Sequence, residues 1–285
     1  PVFILDDATP GAWKMGGASR WWLHLSLAAL AEQLEAAGSK LILAHGDTRE
    51  VLLKIAKAAR AAAIYFTRGY ERYAVALEQD LKTACDGAGI AFKRYGGALL
   101  REPEEIRTKT GDVYKVYTPF WRALSDGFTV APPKPAPKAI LAPDTFPKSL
   151  SLAALGLLPK KPDWAGGMRE TWTPGEAGAH ARLDAFLKNA LKNYADDRNR
   201  PDIEGTSRLS PHLHFGEISP SMCWFKAQAA AARMTGADKG LETFLKELVW
   251  REFSYTLLFN WPNLPEEPFK TEFARFPWAQ NGRHL

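Results

Sequence analysis

The turn Gly205-Thr-Ser-Arg-Leu-Ser-Pro211 gathers residues that could grip an anion. Thr206, Ser207, Arg208 and Ser210 fall on one short stretch, opened by Gly205 and closed by Pro211, with Leu209 between them. A glycine that frees the backbone, hydroxyls that donate and a planar guanidinium suit a group rich in anionic oxygens. A capped loop between two helices would use the same residue types. Forty residues on, Glu247, Trp250, Arg251 and Ser254 recur at i, i+3, i+4 and i+7, so a helix carries them on one face. An indole set between a carboxylate and a guanidinium can stack on a planar ligand while the carboxylate accepts hydrogen bonds; a solvated face is the plainer alternative. Tyr194 and Arg198 stand one helical turn apart just before the hydroxyl turn, placed for a ligand or a DNA phosphate, or merely for helix-end solvation.

Other reactive residues lead less far. His212 and His214 have H-x-H spacing, but no third ligand is evident, so the expectation is packing or hydrogen bonding and no metal. Asp6 and Asp7 end the first strand, where α/β proteins often place site residues, yet no partner can be named for them. Ser19 and Ser210 lack a G-x-S-x-G setting, and Cys85 and Cys223 have no basic neighbours in sequence, so no nucleophile is indicated.

The elements that must position these residues divide into two textures. Val2–Leu5, Lys40–Ala44, Ala63–Thr67 and Ile90–Tyr95 read as buried strands. Between them, Leu23, Leu27, Leu30 and Leu34 recur at helical spacing, Asp47-Thr-Arg-Glu50 opens a second helix, and Glu71 to about Cys85 forms a third. That alternation predicts a parallel sheet wrapped by helices, an α/β unit. No G-x-G-x-x-G follows the first strand, so nicotinamide binding is not expected. From Ala131 a proline-rich run, Ala131-Pro-Pro-Lys-Pro-Ala-Pro-Lys138, starts an extended connector to about residue 173. Beyond it every pattern is helical: His180–Asp196, a helix capped by Ser219-Pro220 and running to about Arg233, and Gly240–Phe259.

Composition narrows the classes. At 285 residues the chain is long enough for two ordinary domains, and 46% apolar with 24% charged residues excludes a disordered protein. A net charge of +5 permits a polyanionic partner without requiring one. Ten tryptophans, roughly two to three times an average share, suit stacking or electron transfer as well as cores. Two cysteines exclude a disulfide framework, and no apolar run approaches the ~20 residues that span a bilayer. The expectation is a soluble monomer in a reducing, cytoplasmic setting.

Together these segments resemble the DNA photolyase/cryptochrome family over essentially the whole chain. Glu204–Pro220, with its Gly-Thr-Ser-Arg-Leu-Ser-Pro-x-Leu-x-Phe-Gly pattern, is similar to the family's FAD-phosphate loop. Glu247-Leu-Val-Trp-Arg-Glu-Phe253 is similar to the helix that faces flavin and damaged bases, and Gly17-Ala-Ser-Arg-Trp-Trp-Leu-His24 with Leu27 resembles the family's first helix. The resemblance implies a Rossmann-like α/β domain over 1–130, a connector over 131–173, and the first part of an all-α FAD-binding domain over 174–285. It implies a deoxyribodipyrimidine photo-lyase, which repairs cyclobutane pyrimidine dimers by light-driven electron transfer from reduced FAD, with damaged DNA as partner. Tyr194, Thr206, Ser207, Arg208, Leu209, Ser210 and Arg251 would hold FAD. Arg198, Glu247, Trp250, Arg251 and Ser254 would meet DNA or the lesion, and Trp278 would be the outermost tryptophan of the photoreduction chain.

The resemblance further implies an antenna chromophore of folate or deazaflavin type, or a second flavin, with Tyr70-Glu71-Arg72 where its contacts are expected. The alternatives are a cryptochrome-type photoreceptor, against which Glu247, Trp250 and the His-Leu-His-Phe-Gly run weigh, and a non-enzymatic fragment. The family continues with further helices beyond the point where this chain stops, so weak FAD retention and no repair by this polypeptide alone are expected.

Overall fold

The computed structural model describes residues 1–277. All four expected strands form and all pair in parallel, but the two later ones are not buried as expected: 63–67 is half-buried and 91–95 mostly exposed. Strand β1 (Val2–Leu5) runs beside β2 (Ile42–His45) with Val2 opposite Ile42, and β3 (Ala63–Thr67) beside β4 (Ala91–Tyr95) with Ala63 opposite Ala91. The sheet is not continuous: the two pairs are not hydrogen-bonded to each other. Helices α1 (Gly17–Ala36), α2 (Thr48–Ala58) and α3 (Arg72–Gly87) make the crossovers. Asp47 caps α2 by accepting from the Glu50 N–H, as its sequence position predicts. Leu23, Leu27 and Leu34 of α1 are buried against Leu5, Leu41 and Leu43, whereas Leu30 lies exposed at the margin of the stripe. A second side of α1 buries Trp21 and Trp22 against Ala165, Trp172 and Phe215. So α1 serves both halves of the molecule.

Helix α4 (Tyr117–Ser125) precedes the proline-rich connector but buries Phe120 and Leu124 in the helical core. The expected boundary at residue 130 thus falls after an element that packs with the helices. The connector itself lies along β2: the Leu43 N–H donates to Ser149 Oγ, and the Leu150 N–H donates to the Leu43 carbonyl. It then tucks Leu155 and Leu157 under α1, covering an edge strand that would otherwise be open. A short helix, α5 (Gly166–Thr171), ends it.

The helical part contains α6 (Glu176–Asn189), α7 (Tyr194–Asp197), α8 (Ser210–His214), α9 (Pro220–Ala231) and α10 (Asp238–Asn260). Leu183, Phe186, Leu191, Cys223, Ala227, Phe244, Leu248 and Val249 form its core. Ser219 caps α9 with Pro220 in its first turn, as expected. The single helix expected over 180–196 is instead broken. Ala190 and Leu191 turn into the core, and α7 restarts so that the Tyr194 ring packs edge-on to Phe186 and Phe244.

Candidate functional site

Helix α10 owes its place to two faces of unequal polarity. Leu245, Leu248, Val249 and Phe253 are buried in the helical core, while Glu247, Trp250, Arg251 and Ser254 stand half-buried or exposed on other sides. Opposite it, the hydroxyl turn is pinned by a close approach. A Cβ on Gly205 would lie 2.6 Å from the carbonyl oxygen of Asp197, so only glycine lets the turn settle on the end of α7. That contact brings α7, the turn and α10 to one place.

The result is a cavity of about 230 Å³ walled by Tyr194, Ser207, Leu209, Ser210, Glu247 and Arg251, together with Leu213, His214, Phe244, Leu248 and Tyr255. The hydroxyls of Thr206, Ser207 and Ser210 have no hydrogen-bond partner among the described residues. They are free to donate. A larger cavity, about 490 Å³, adjoins it and shares Leu213, His214, Arg251 and Tyr255; Arg68, Tyr70 and Glu71 line its far side.

Charges around the cavity are mostly paired. Glu247 forms an ion pair with Arg198. The Arg251 guanidinium donates to the Ala98 carbonyl at 2.5 Å and lies over the Tyr255 ring. Next to it in sequence, Glu252 points into the core, where Oε2 accepts from the Leu100 and Arg101 N–H groups. Consecutive residues of α10 thereby clamp the 98–101 segment that follows β4. Burial pushes the Glu252 carboxyl up to about 8, although the two N–H donors and Arg251 pull it down. Burial also raises the phenols of Tyr194 and Tyr117, with the Glu247 charge adding to each.

Outside the cavity wall, Trp250 stacks on Tyr117 with ring centroids 3.6 Å apart and planes 5° from parallel, yet stays 44% exposed. One indole face is covered and the other is open. Arg208 adopts a left-handed backbone conformation, pairs with Glu204 and lies over the Trp172 ring rather than on the cavity wall. Thr206 is exposed beside the cavity, and the Ser254 hydroxyl donates to the Trp250 carbonyl. Trp278 lies outside the described residues. His212 is a buried hydrogen-bonding residue, its Nδ1 2.5 Å from Glu217 Oε2, and among the described residues no His, Cys, Asp or Glu cluster could hold a metal. Both thiols are buried, which pushes Cys85 upward and Cys223 to about 12.

A DNA photolyase family profile matches residues 1–138. The deoxyribodipyrimidine photo-lyase of Agrobacterium fabrum is 42% identical over 281 residues, covering 99% of this chain and 58% of that protein. The crystal structure of a bacterial class III photolyase from Agrobacterium tumefaciens superposes with a TM-score of 0.91 at 43% identity, over 98% of this chain and 57% of that one. The chain belongs to the DNA photolyase/cryptochrome family. Cryptochrome-1 of Arabidopsis thaliana is also similar, 30% identical over 98% of this chain and 42% of its own length. The chain thus spans little more than half the length of the curated photo-lyase it matches.

Several residues at the family member's cavity escaped the sequence reading. Phe244, Leu248 and Tyr255 extend the Glu247–Arg251 face along α10 at helical spacing, a signal that was present. Tyr117, which covers Trp250, comes from far along the chain and carries no local pattern; Glu217, which fixes His212, lies only five residues beyond it, within the Glu204–Pro220 run.

Proposed function

We propose that this chain forms the phosphate-side and lesion-facing walls of a deoxyribodipyrimidine photo-lyase acting on cyclobutane pyrimidine dimers in DNA. The observation that carries the reading is the convergence of Tyr194, Ser207 and Ser210 with Glu247 and Arg251 on one cavity. The residues present suit FAD. Three unpartnered hydroxyls and a guanidinium match its phosphates, and Tyr194, Leu209 and Phe244 supply apolar wall. At about 230 Å³ the cavity falls below the ~300–1,000 Å³ usual for a drug-sized ligand, so it takes part of the cofactor and the adjoining cleft the rest. When bound and reduced, FAD supplies the light-excited electron that splits the dimer.

The chain's own residues then divide the work. Ser207 and Ser210 donate to phosphate oxygens, with Thr206 beside them. Glu247 accepts from the ring N–H of an extruded pyrimidine, and Trp250 offers that pyrimidine the indole face not covered by Tyr117. Extrusion costs a few kcal/mol, least for a base already badly paired, and stacking returns about 1–3 kcal/mol per base. Because Arg198 is paired with Glu247, a DNA phosphate that draws Arg198 away also frees the Glu247 carboxylate for the lesion. A folate- or deazaflavin-type antenna belongs to the same proposal, with Tyr70 and Glu71 beside the larger cavity as its candidate contacts.

Blue-light repair of a thymine-dimer oligonucleotide by a flavin-loaded full-length protein that contains this chain, reduced at least tenfold in Glu247→Gln, is the expected result. Repair that is unchanged in that variant overturns the assignment of the lesion face. The similarity to Cryptochrome-1 supports a photoreceptor as the second reading. Flavin binding and a light-dependent change in partner affinity, with no repair by the full-length protein, would establish it instead.

A further inference from the structure

A separate cavity of about 470 Å³ lies between the end of α5, the first turns of α6 and His212 of α8. It faces away from the flavin cavity, because His212 stands on a different side of α8 from Ser210, Leu213 and His214. Thr171, Trp172, Thr173, Gly178 and Arg182 complete the wall, and no carboxylate lines it. A Cβ on Gly178 would sit 1.8 Å from the Thr173 carbonyl oxygen, so glycine is what lets the loop fold down onto α6.

Two groups in this wall lack the partners their chemistry calls for. Arg182 lies 6.0 Å from the Trp172 ring centroid and has no carboxylate partner among the described residues. His212 is 1% exposed, and its Nδ1 is held by Glu217, which also accepts from Trp22 Nε1 at 2.9 Å and from the Gly175 N–H at 2.7 Å. A carboxylate at Nδ1 fixes the proton on that nitrogen. In the tautomer with that single proton, Nε2 is an acceptor, and it has no hydrogen-bond partner among the described residues. A buried imidazole with one nitrogen unspent, beside an unpaired guanidinium and under the partial positive charge of the α6 N-terminus, is matched by an anion that also carries an O–H. A hydrogen phosphate has both; a carboxylate has only the charge. The volume exceeds what phosphate alone would fill, and Trp172 offers the remainder a flat apolar surface.

We propose that this cavity is a second ligand site, which takes a small phosphate monoester with Arg182 as the charged anchor and His212 Nε2 as acceptor. The test is titration of the protein with inorganic phosphate and with phenyl phosphate, followed by the NMR signals of the Trp172 indole and the His212 imidazole. Saturable shifts are expected with both probes, tighter for phenyl phosphate. Affinity falls about tenfold in Arg182→Gln, as loss of a charge-assisted contact implies, and less in Arg182→Lys, which keeps the charge but not the fork. Arg182 is half-buried and makes no ion pair, so a melting curve suffices to show that both variants fold. The double variant Ser207→Ala, Ser210→Ala leaves these shifts unchanged. Absent shifts, an affinity unaltered in Arg182→Gln, or shifts abolished by the double variant would each overturn the proposal, the last by placing the anion at the hydroxyl turn.

Discussion

Replacing Glu252 by glutamine tests whether a neutral carboxyl holds the helix that carries the Glu247–Arg251 wall of the cavity. The side chain is 1% exposed; Oε2 accepts at 2.7 Å from Leu100 and at 3.3 Å from Arg101, while Oε1 makes no hydrogen bond but lies 3.5 Å from the Arg251 guanidinium. Burial dominates and pushes the carboxyl up to about 8 from an ordinary 4.5. Between those two values the unfolded chain releases a proton that the folded chain keeps. Each pH unit in that window therefore costs the folded state about 1.4 kcal/mol. The contribution is fully present below the unfolded value and lost as pH rises through about 8, a change on the order of 4–5 kcal/mol. Glutamine keeps the acceptor oxygen and the shape but cannot ionise. Urea unfolding of both proteins from pH 5 to pH 9 should show Glu252→Gln gaining on the wild type at that slope and levelling off above pH 8. Taking the difference cancels the histidines and other groups that titrate in both proteins. A difference that stays flat across the window would refute the idea that burial keeps Glu252 protonated.

Other outcomes follow from the same contacts. Gly205→Ala puts a methyl 2.6 Å from the Asp197 carbonyl, which should cost about 1–3 kcal/mol by overpacking and weaken FAD binding, read by melting and flavin fluorescence. Trp22→Phe keeps a ring against Phe215 but removes the Nε1–H that serves Glu217; leaving that buried acceptor short of a donor should cost about 1–3 kcal/mol in urea unfolding. Trp250→Ala loses the stack on Tyr117, about 0.5–1.5 kcal/mol of stability. It should also lower affinity for dimer-containing DNA roughly tenfold with little change for undamaged DNA, measured by fluorescence anisotropy.

What could be read from the sequence was local in origin. The Asp47 and Ser219 caps, the four strands and the α10 helix all depend on residues within a few positions of one another, and each formed; of the expected α10 face, Glu247 and Arg251 meet on the cavity wall while Trp250 stacks outside it. The break at Ala190–Leu191 was not legible, since nothing in the helical periodicity shows that the Tyr194 ring gains more by turning toward Phe244. The Arg208 side chain reads as part of the anion turn, yet its left-handed backbone directs it to Trp172, thirty-six positions earlier. Likewise the Glu217 carboxylate, five residues from His212, also takes Trp22 and Ser26 of α1 and the Gly175 N–H, partners that meet it only once α1 packs on the helical core.

Helix α8 is where these long-range contacts become consequential. One side of its five residues presents Ser210 to the cavity of Tyr194 and Arg251, while the other buries His212 on Glu217 and borders the cavity of Arg182. Glu217 is in turn fixed by Trp22 of α1 and by the N–H of Gly175 at the start of α6. A short helix cannot hold its own position by propensity, so the carboxylate that anchors it sets where the Ser210 hydroxyl stands. Disturbing either the α1 indole or the His212 ring should therefore be felt at the phosphate grip, even though neither touches it. The coupling runs through a single buried carboxylate, which Ser26 of α1 also hydrogen-bonds, and for that reason the α/β half of the molecule contributes to the geometry of a site that lies among the helices.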